Sequence, residues 1–141
     1  MNYYAFVSRP TELRIRMEHK MEDVQFKWTT CINTVPQMGE KVQSSLKNST
    51  EASIIRYTEA KAQLDALAEK YDKAVSDVRA FLYECLDLDD ADVLDWKYCG
   101  GKSIQDIADL KEISYSGAAN RISRAEAKAM KAYKMGNFEK E

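Results

Sequence analysis

The sequence is poor in the residues that bend, staple or ligate. Five glycines, two prolines and a single histidine, His19, are spread over 141 positions. Cys31, Cys85 and Cys99 are odd in number, far apart and without a CxxC pair, so neither a disulfide framework nor a closed zinc site is expected. No apolar run approaches the roughly 20 residues that span a bilayer, and MNYYAFVSRP lacks the basic, apolar, small-residue order of a signal peptide. These absences lead us to expect a reduced, cytoplasmic protein with no membrane contact and no metal. Enzyme chemistry has as little support. Gly100-Gly101-Lys102-Ser103 lacks the earlier glycine and the preceding strand of a phosphate loop, and no nucleophile has an identifiable base. Neither catalytic residues nor a cofactor are expected.

What the chain does have is helix-forming, charged sequence, with a mean hydropathy of -0.54 and 31% charged residues. The net charge of -2 hides an uneven distribution: Met1 to Thr50 stands at +2, Glu51 to Asp95 at -7 and Trp96 to Glu141 at +3. A polyanion would be met by the C-terminal third.

From Thr11, Leu13, Met17, Met21, Val24, Trp28 and Cys31 fall at spacings of three and four, one stripe on a helix with Pro10 in its first turn. This gives an N-terminal helix within 1–32 and a linker at 33–50, rich in Pro, Gly, Ser, Asn and Thr. Over 51–89 the residues Tyr57, Ala60, Leu64, Leu67, Tyr71, Ala74, Val78, Phe81, Cys85 and Leu88 form a heptad seam that needs another helix along it. Either the first helix folds back or a second chain supplies it, and since the first helix is shorter we expect a hairpin that also dimerises, with Leu64, Leu67, Tyr71, Val78 and Phe81 as the oligomer seam. The acidic run from Glu84 to Asp95 is expected to be a junction in which Asp89 or Asp90 caps the next helix, or a strip that docks a basic partner or repels DNA.

In 90–135 three short helices are expected, followed by a tail at 136–141. Val93 and Leu94 mark the first helix and Gly100-Gly101 breaks it. Ser103 with Asp106 makes a capping-box start to the second, which carries Ile104, Ile107, Ala108 and, less firmly patterned, Leu110. Ser114 caps the third, on which Ala118, Ile122, Ala125 and Ala129 share the inner face. Ser116, Asn120, Arg124 and Lys131 then point outward, with Arg121 and Lys128 on a flank. With Lys102, these residues suit double-stranded DNA: Asn pairs with adenine, Arg with guanine, and Lys, Arg and Ser with phosphates.

The string KSIQDIADLKEISYSGAANRISRAEAKA resembles region 4 of bacterial sigma factors and related regulators, through Ile107-Ala108, Ile113-Ser114 and Arg121-Ile122-Ser123-Arg124-Ala125. The whole chain, with its Val42-Gln43-Ser44-Ser45 linker, is similar in size and plan to phage late-gene transcription regulators of the ArpU and RinA types. The resemblance implies an all-α fold, a long helical hairpin or coiled-coil stalk followed by a three-helix helix-turn-helix domain, and a sequence-specific, dimeric, phage or prophage DNA-binding regulator. It also implies RNA polymerase as a second partner. The family's Leu-Gly in the turn is Lys111-Glu112 here and its large aliphatic is Ala118, which leaves the register of the turn open. Two alternatives belong to other classes: a small terminase-like packaging subunit assembled as a ring, and an inhibitor of a host protein.

Overall fold

The computed structural model describes residues 2–33 and 43–136, with side chains described at 2–32 and 50–136. The fold is all-α. The helices are α1 (Tyr3–Asn33), α2 (Gln43–Cys85), α3 (Leu88–Tyr98), α4 (Ile104–Lys111) and α5 (Tyr115–Met135). α1 and α2 form a long hairpin, and the three shorter helices pack on one another. The chain divides into two compact units, one of Met1–Glu12 with Tyr71–Glu141 and the other of Leu13–Lys70. Of the expected linker string Val42-Gln43-Ser44-Ser45, the last three residues are in α2 and Val42 lies outside the described residues.

Helix boundaries differ from expectation where tertiary burial outweighs local punctuation. α1 begins eight residues before Thr11, and Pro10 sits inside it rather than in its first turn. A proline at that depth removes one helical hydrogen bond and costs about 3 kcal/mol in an isolated helix. Here Tyr3, Val7 and Pro10 are all buried in the first unit, and Asn2 accepts a hydrogen bond from the Ala5 N–H at 2.7 Å, capping the new start. Directly after Pro10 the Thr11 hydroxyl donates to the Tyr98 carbonyl at the end of α3. α2 begins at Gln43, so the second half of the expected linker is helical, and it ends at Cys85 rather than at residue 89. Residues 34–42 and the tail from residue 137 lie outside the described residues.

The heptad seam holds as a buried stripe as far as Phe81. Ala60, Ala74, Val78 and Phe81 are buried and Leu64, Leu67 and Tyr71 half-buried, but Cys85 and Leu88 are exposed. Packing within the chain covers the seam: Trp28 lies on Tyr57 in the second unit and Phe6 on Phe81 in the first, with ring centroids 5.0 and 5.7 Å apart. Val78 and Phe81 therefore belong to the core of the first unit, where they meet α3 and α5 residues. Of the residues expected at an oligomer seam, these two are thus already buried within one chain, whereas Leu64, Leu67 and Tyr71 are half-buried.

Gly100-Gly101 ends α3 as expected. Gly101 adopts φ 64°, and a Cβ on Gly100 would stand 2.9 Å from the Trp96 carbonyl oxygen. Ser103 and Asp106 form the complete capping box at α4, and Ser114 accepts from the Gly117 N–H at 3.0 Å to cap α5. The turn between α4 and α5 closes on Glu112, at φ 55° and ψ 43°. The Glu112 N–H donates to Asp109 and the Ile113 N–H to Ala108, satisfying two of α4's last four carbonyls. The turn is thus closed by a glutamate in the left-handed region, where a Cβ costs roughly 1 kcal/mol. Glu112→Gly is expected to stabilise the chain by about 0.5 kcal/mol, the relieved strain being partly offset by the entropy of a freer unfolded chain. A denaturant midpoint that moves down on this substitution would contradict the strained turn. Leu110 does not take a core contact, being 53% exposed.

The thiols also divide by environment. Cys85 is exposed on the last turn of α2, whereas Cys31 and Cys99 are buried. Burial, reinforced by a hydrogen bond and the charge of Asp95, pushes the Cys99 thiol up to about 12. Its thiolate fraction at pH 8 is then roughly three orders of magnitude below that of an ordinary cysteine. Titration with an aromatic disulfide at pH 8 should label Cys85 at least about a hundredfold faster than Cys99 in the folded chain. Equal rates would mean that the first unit opens on the timescale of labelling.

Candidate nucleic-acid interface

α5 has two contrasting sides. Ala118, Ile122, Ala125 and Ala129, with Tyr133 one turn on, are buried. Their spacing of three and four puts them on one stripe, and the small side chains at three of these positions let α3 and α4 approach the helix closely. At 100° per residue the opposite side carries Ser116, Asn120, Arg124, Lys131 and Lys134, and all five are exposed. None of the five makes a side-chain hydrogen bond or ion pair among the described residues.

The flanks of α5 are different, because α3 crosses it and contributes acid on one side. Lys128 Nζ lies 3.0 Å from Asp90, and Arg121 Nη2 lies 4.0 Å from Asp89. Lys111, on α4, reaches Asp89 at 3.3 Å. The hydrogen bond that Lys128 donates to Asp90, together with the charge of that carboxylate, holds Lys128 above the usual lysine range. Arg121 and Lys128 are thus partly neutralised within the fold, while Arg124 is not. On the other flank Glu126 accepts from the Tyr98 hydroxyl and pairs with Lys97 at 3.4 Å. The one acidic side chain of α5 therefore ties the helix to the C-terminal end of α3 and leaves its outward stripe free of negative charge.

The acidic run between α2 and α3 is also largely occupied inside the chain. Asp87 holds the N-cap position of α3 but makes no side-chain cap bond, so neither Asp89 nor Asp90 is the cap; both lie in the first turn. There they are favourably placed at the positive end of the helix. Asp95 accepts from Arg79 Nε at 2.9 Å and Asp92 from the Tyr83 hydroxyl at 2.7 Å. Four of the six acids thus have partners in the fold, which leaves little of the run for docking a basic partner.

Lys102 is exposed in the turn between α3 and α4. It lines a shallow depression with Asp106, Asp109 and Leu110, and its charge contributes to lowering Asp106, whose largest influence is the hydrogen bond from the Ser103 backbone. The structure thus gives Lys102 acidic company on α4 and does not bring it together with the stripe on α5. The sequence reading left Lys134 out of the contacts it named and missed the ion pairs on the flank. Lys134, fourteen residues or about four turns after Asn120, falls on the same side of the helix and was legible; the pairing of Asp89 and Asp90 with residues 22 to 38 positions away was not.

Among the described residues no helix is long and apolar enough to cross a membrane, and no group of three or more His, Cys, Asp or Glu side chains is placed to hold a metal ion. Comparison of the chain with protein-family models, with curated proteins and with solved structures finds no match.

Proposed function

We propose that the chain is a sequence-specific DNA-binding transcription regulator that lays α5 in the major groove and acts as two copies. The observation that carries this reading is the outward stripe of α5. Asn120, Arg124, Lys131 and Lys134 stand exposed and unpaired opposite a fully packed face, on the second helix of a tight helix-turn-helix. Long polar side chains held on a rigid, well-capped helix suit contact with base edges and phosphates. A helix that only filled a core would not need a net charge of +4 over Tyr115–Met135.

The test is selection of duplexes from a random pool, followed by affinity measurements against salt. Three unpaired cations, Arg124, Lys131 and Lys134, give an expected slope of log affinity against log salt of about -3 per subunit. Asp90→Asn, which releases Lys128, should steepen the slope by up to about 1 and tighten binding to any duplex. Failure to retain any duplex, or a complex indifferent to salt, would defeat the proposal.

A further inference from the structure

We infer that one side of the α1–α2 hairpin in the unit Leu13–Lys70 binds the same side of a second copy, forming a four-helix bundle about a twofold axis. The inference rests on the two-copy part of the reading above and names the surface for it, which takes in the half-buried seam residues Tyr57 and Leu64 and leaves out Val78 and Phe81.

Among the described residues of this unit the buried ones are Leu13, Cys31, Ser53 and Ala60, of which Leu13 alone is a large apolar side chain. Met21, Trp28, Ile32 and Ile54 remain 54%, 47%, 50% and 47% exposed. On α1, Met21, Trp28 and Ile32 follow one another with Gln25 among them at spacings of three and four, and on α2 so do Ile54, Tyr57, Leu64 and Ala68 with Lys61 among them, its charge at the tip of an apolar stem. The two stripes lie on one side of the hairpin, since Met21, Val24, Gln25 and Trp28 line a common groove with Tyr57 and Leu64. Two helices make a single layer, and a layer with an apolar side needs a second one to cover it.

Charge and area favour a second copy as that layer. Leu13–Lys70 carries nine basic and eight acidic residues, so neither a strongly acidic nor a strongly basic partner is drawn to it. Leu13–Asn33 has a net charge of +1 and Thr50–Lys70 of -1, so a twofold crossing that lays α1 on the partner's α2 opposes unlike charges. At a rise of 1.5 Å per residue these stretches are about 31 Å long, and two helices side by side are about 20 Å wide. The footprint of about 600 Å², enlarged by side-chain relief, approaches the roughly 800 Å² per partner of a stable interface.

Light scattering on the full chain between about 5 and 100 μM should give twice 16.1 kDa. Trp28→Glu combined with Ile54→Glu should weaken self-association at least about a hundredfold, yielding a monomer with an unchanged helical circular dichroism spectrum. Phe26→Glu with Ile55→Glu changes residues that are also exposed but lie about 160° around their helices from Trp28 and Tyr57; this variant should remain a dimer. If the first variant loses helix, Met21→Lys with Ile32→Lys replaces it, and loss of helix there too would show that this side belongs to the chain's own core and overturn the inference. A monomeric wild type, a dimer that survives the charges at Trp28 and Ile54, or dissociation by the Phe26 and Ile55 pair would each overturn it. So would a ring of eight or more copies, the mass expected of a packaging subunit. A monomer that still retains duplex DNA overturns this inference and leaves the DNA reading standing, whereas a dimer that retains none does the reverse.

Discussion

Replacing Tyr133 with alanine should destabilise the chain by about 3 to 5 kcal/mol, the cost of removing a large buried aromatic from a packed core. Tyr133 is 1% exposed and its ring meets three others: Tyr3 at 6.0 Å, Phe6 at 5.4 Å and Phe81 at 5.7 Å between centroids. These come from α1 and α2, so one side chain near the end of α5 fastens the start of α1 and the last turns of α2 to the three-helix domain. The loss is a large share of the 5 to 15 kcal/mol by which domains are usually stable, and should lower the melting temperature by on the order of 10 to 20 °C. Tyr133→Phe keeps every ring contact and should cost only about 1 kcal/mol, a hydrogen bond's worth. Thermal unfolding followed by circular dichroism separates the two. If both variants melt within a few degrees of the wild type, α1 does not contribute to the stability of this core.

The second large effect concerns binding. Asn120→Ala and Arg124→Ala should each weaken binding to a selected operator by about 1 to 3 kcal/mol while changing affinity for scrambled duplex much less, because a bidentate contact to a base edge discriminates between sequences by that amount. Lys131 shares the exposed stripe but lies two turns beyond Arg124 on α5, where backbone phosphate is the expected contact. Lys131→Ala should therefore weaken operator and scrambled duplex alike. Arg121→Ala serves as a contrast, since Arg121 is already drawn toward Asp89 and should matter less than Arg124. The experiment is titration of the four variants against both duplexes at one salt concentration. An unchanged operator preference in the Asn120 and Arg124 variants would show that this side of α5 does not read bases.

The parts of the fold that were legible in the sequence are those decided within a few residues of chain. Ser103 with Asp106 and Ser114 could be named as caps because a capping side chain reaches only the next turn. The inner side of α5 followed from spacing alone, because a helix repeats every 3.6 residues wherever it packs. The same local logic gave the heptad stripe on α2 but could not say what covers it. Tertiary packing decided that: Phe6 meets Phe81 and Trp28 meets Tyr57, so Val78 and Phe81 became core. It also decided the depth of Pro10 in α1, since burial of Tyr3 and Val7 extends a helix that proline chemistry would start later. The candidate site divides in the same way. Which residues of α5 point outward was fixed by helical geometry. Which of their charges remain free was fixed by Asp89 and Asp90, whose distance from Arg121 and Lys128 along the chain is closed only when α3 crosses α5. Periodicity carries no information about such a crossing, because an ion pair depends on where two helices meet and not on the pattern within either one.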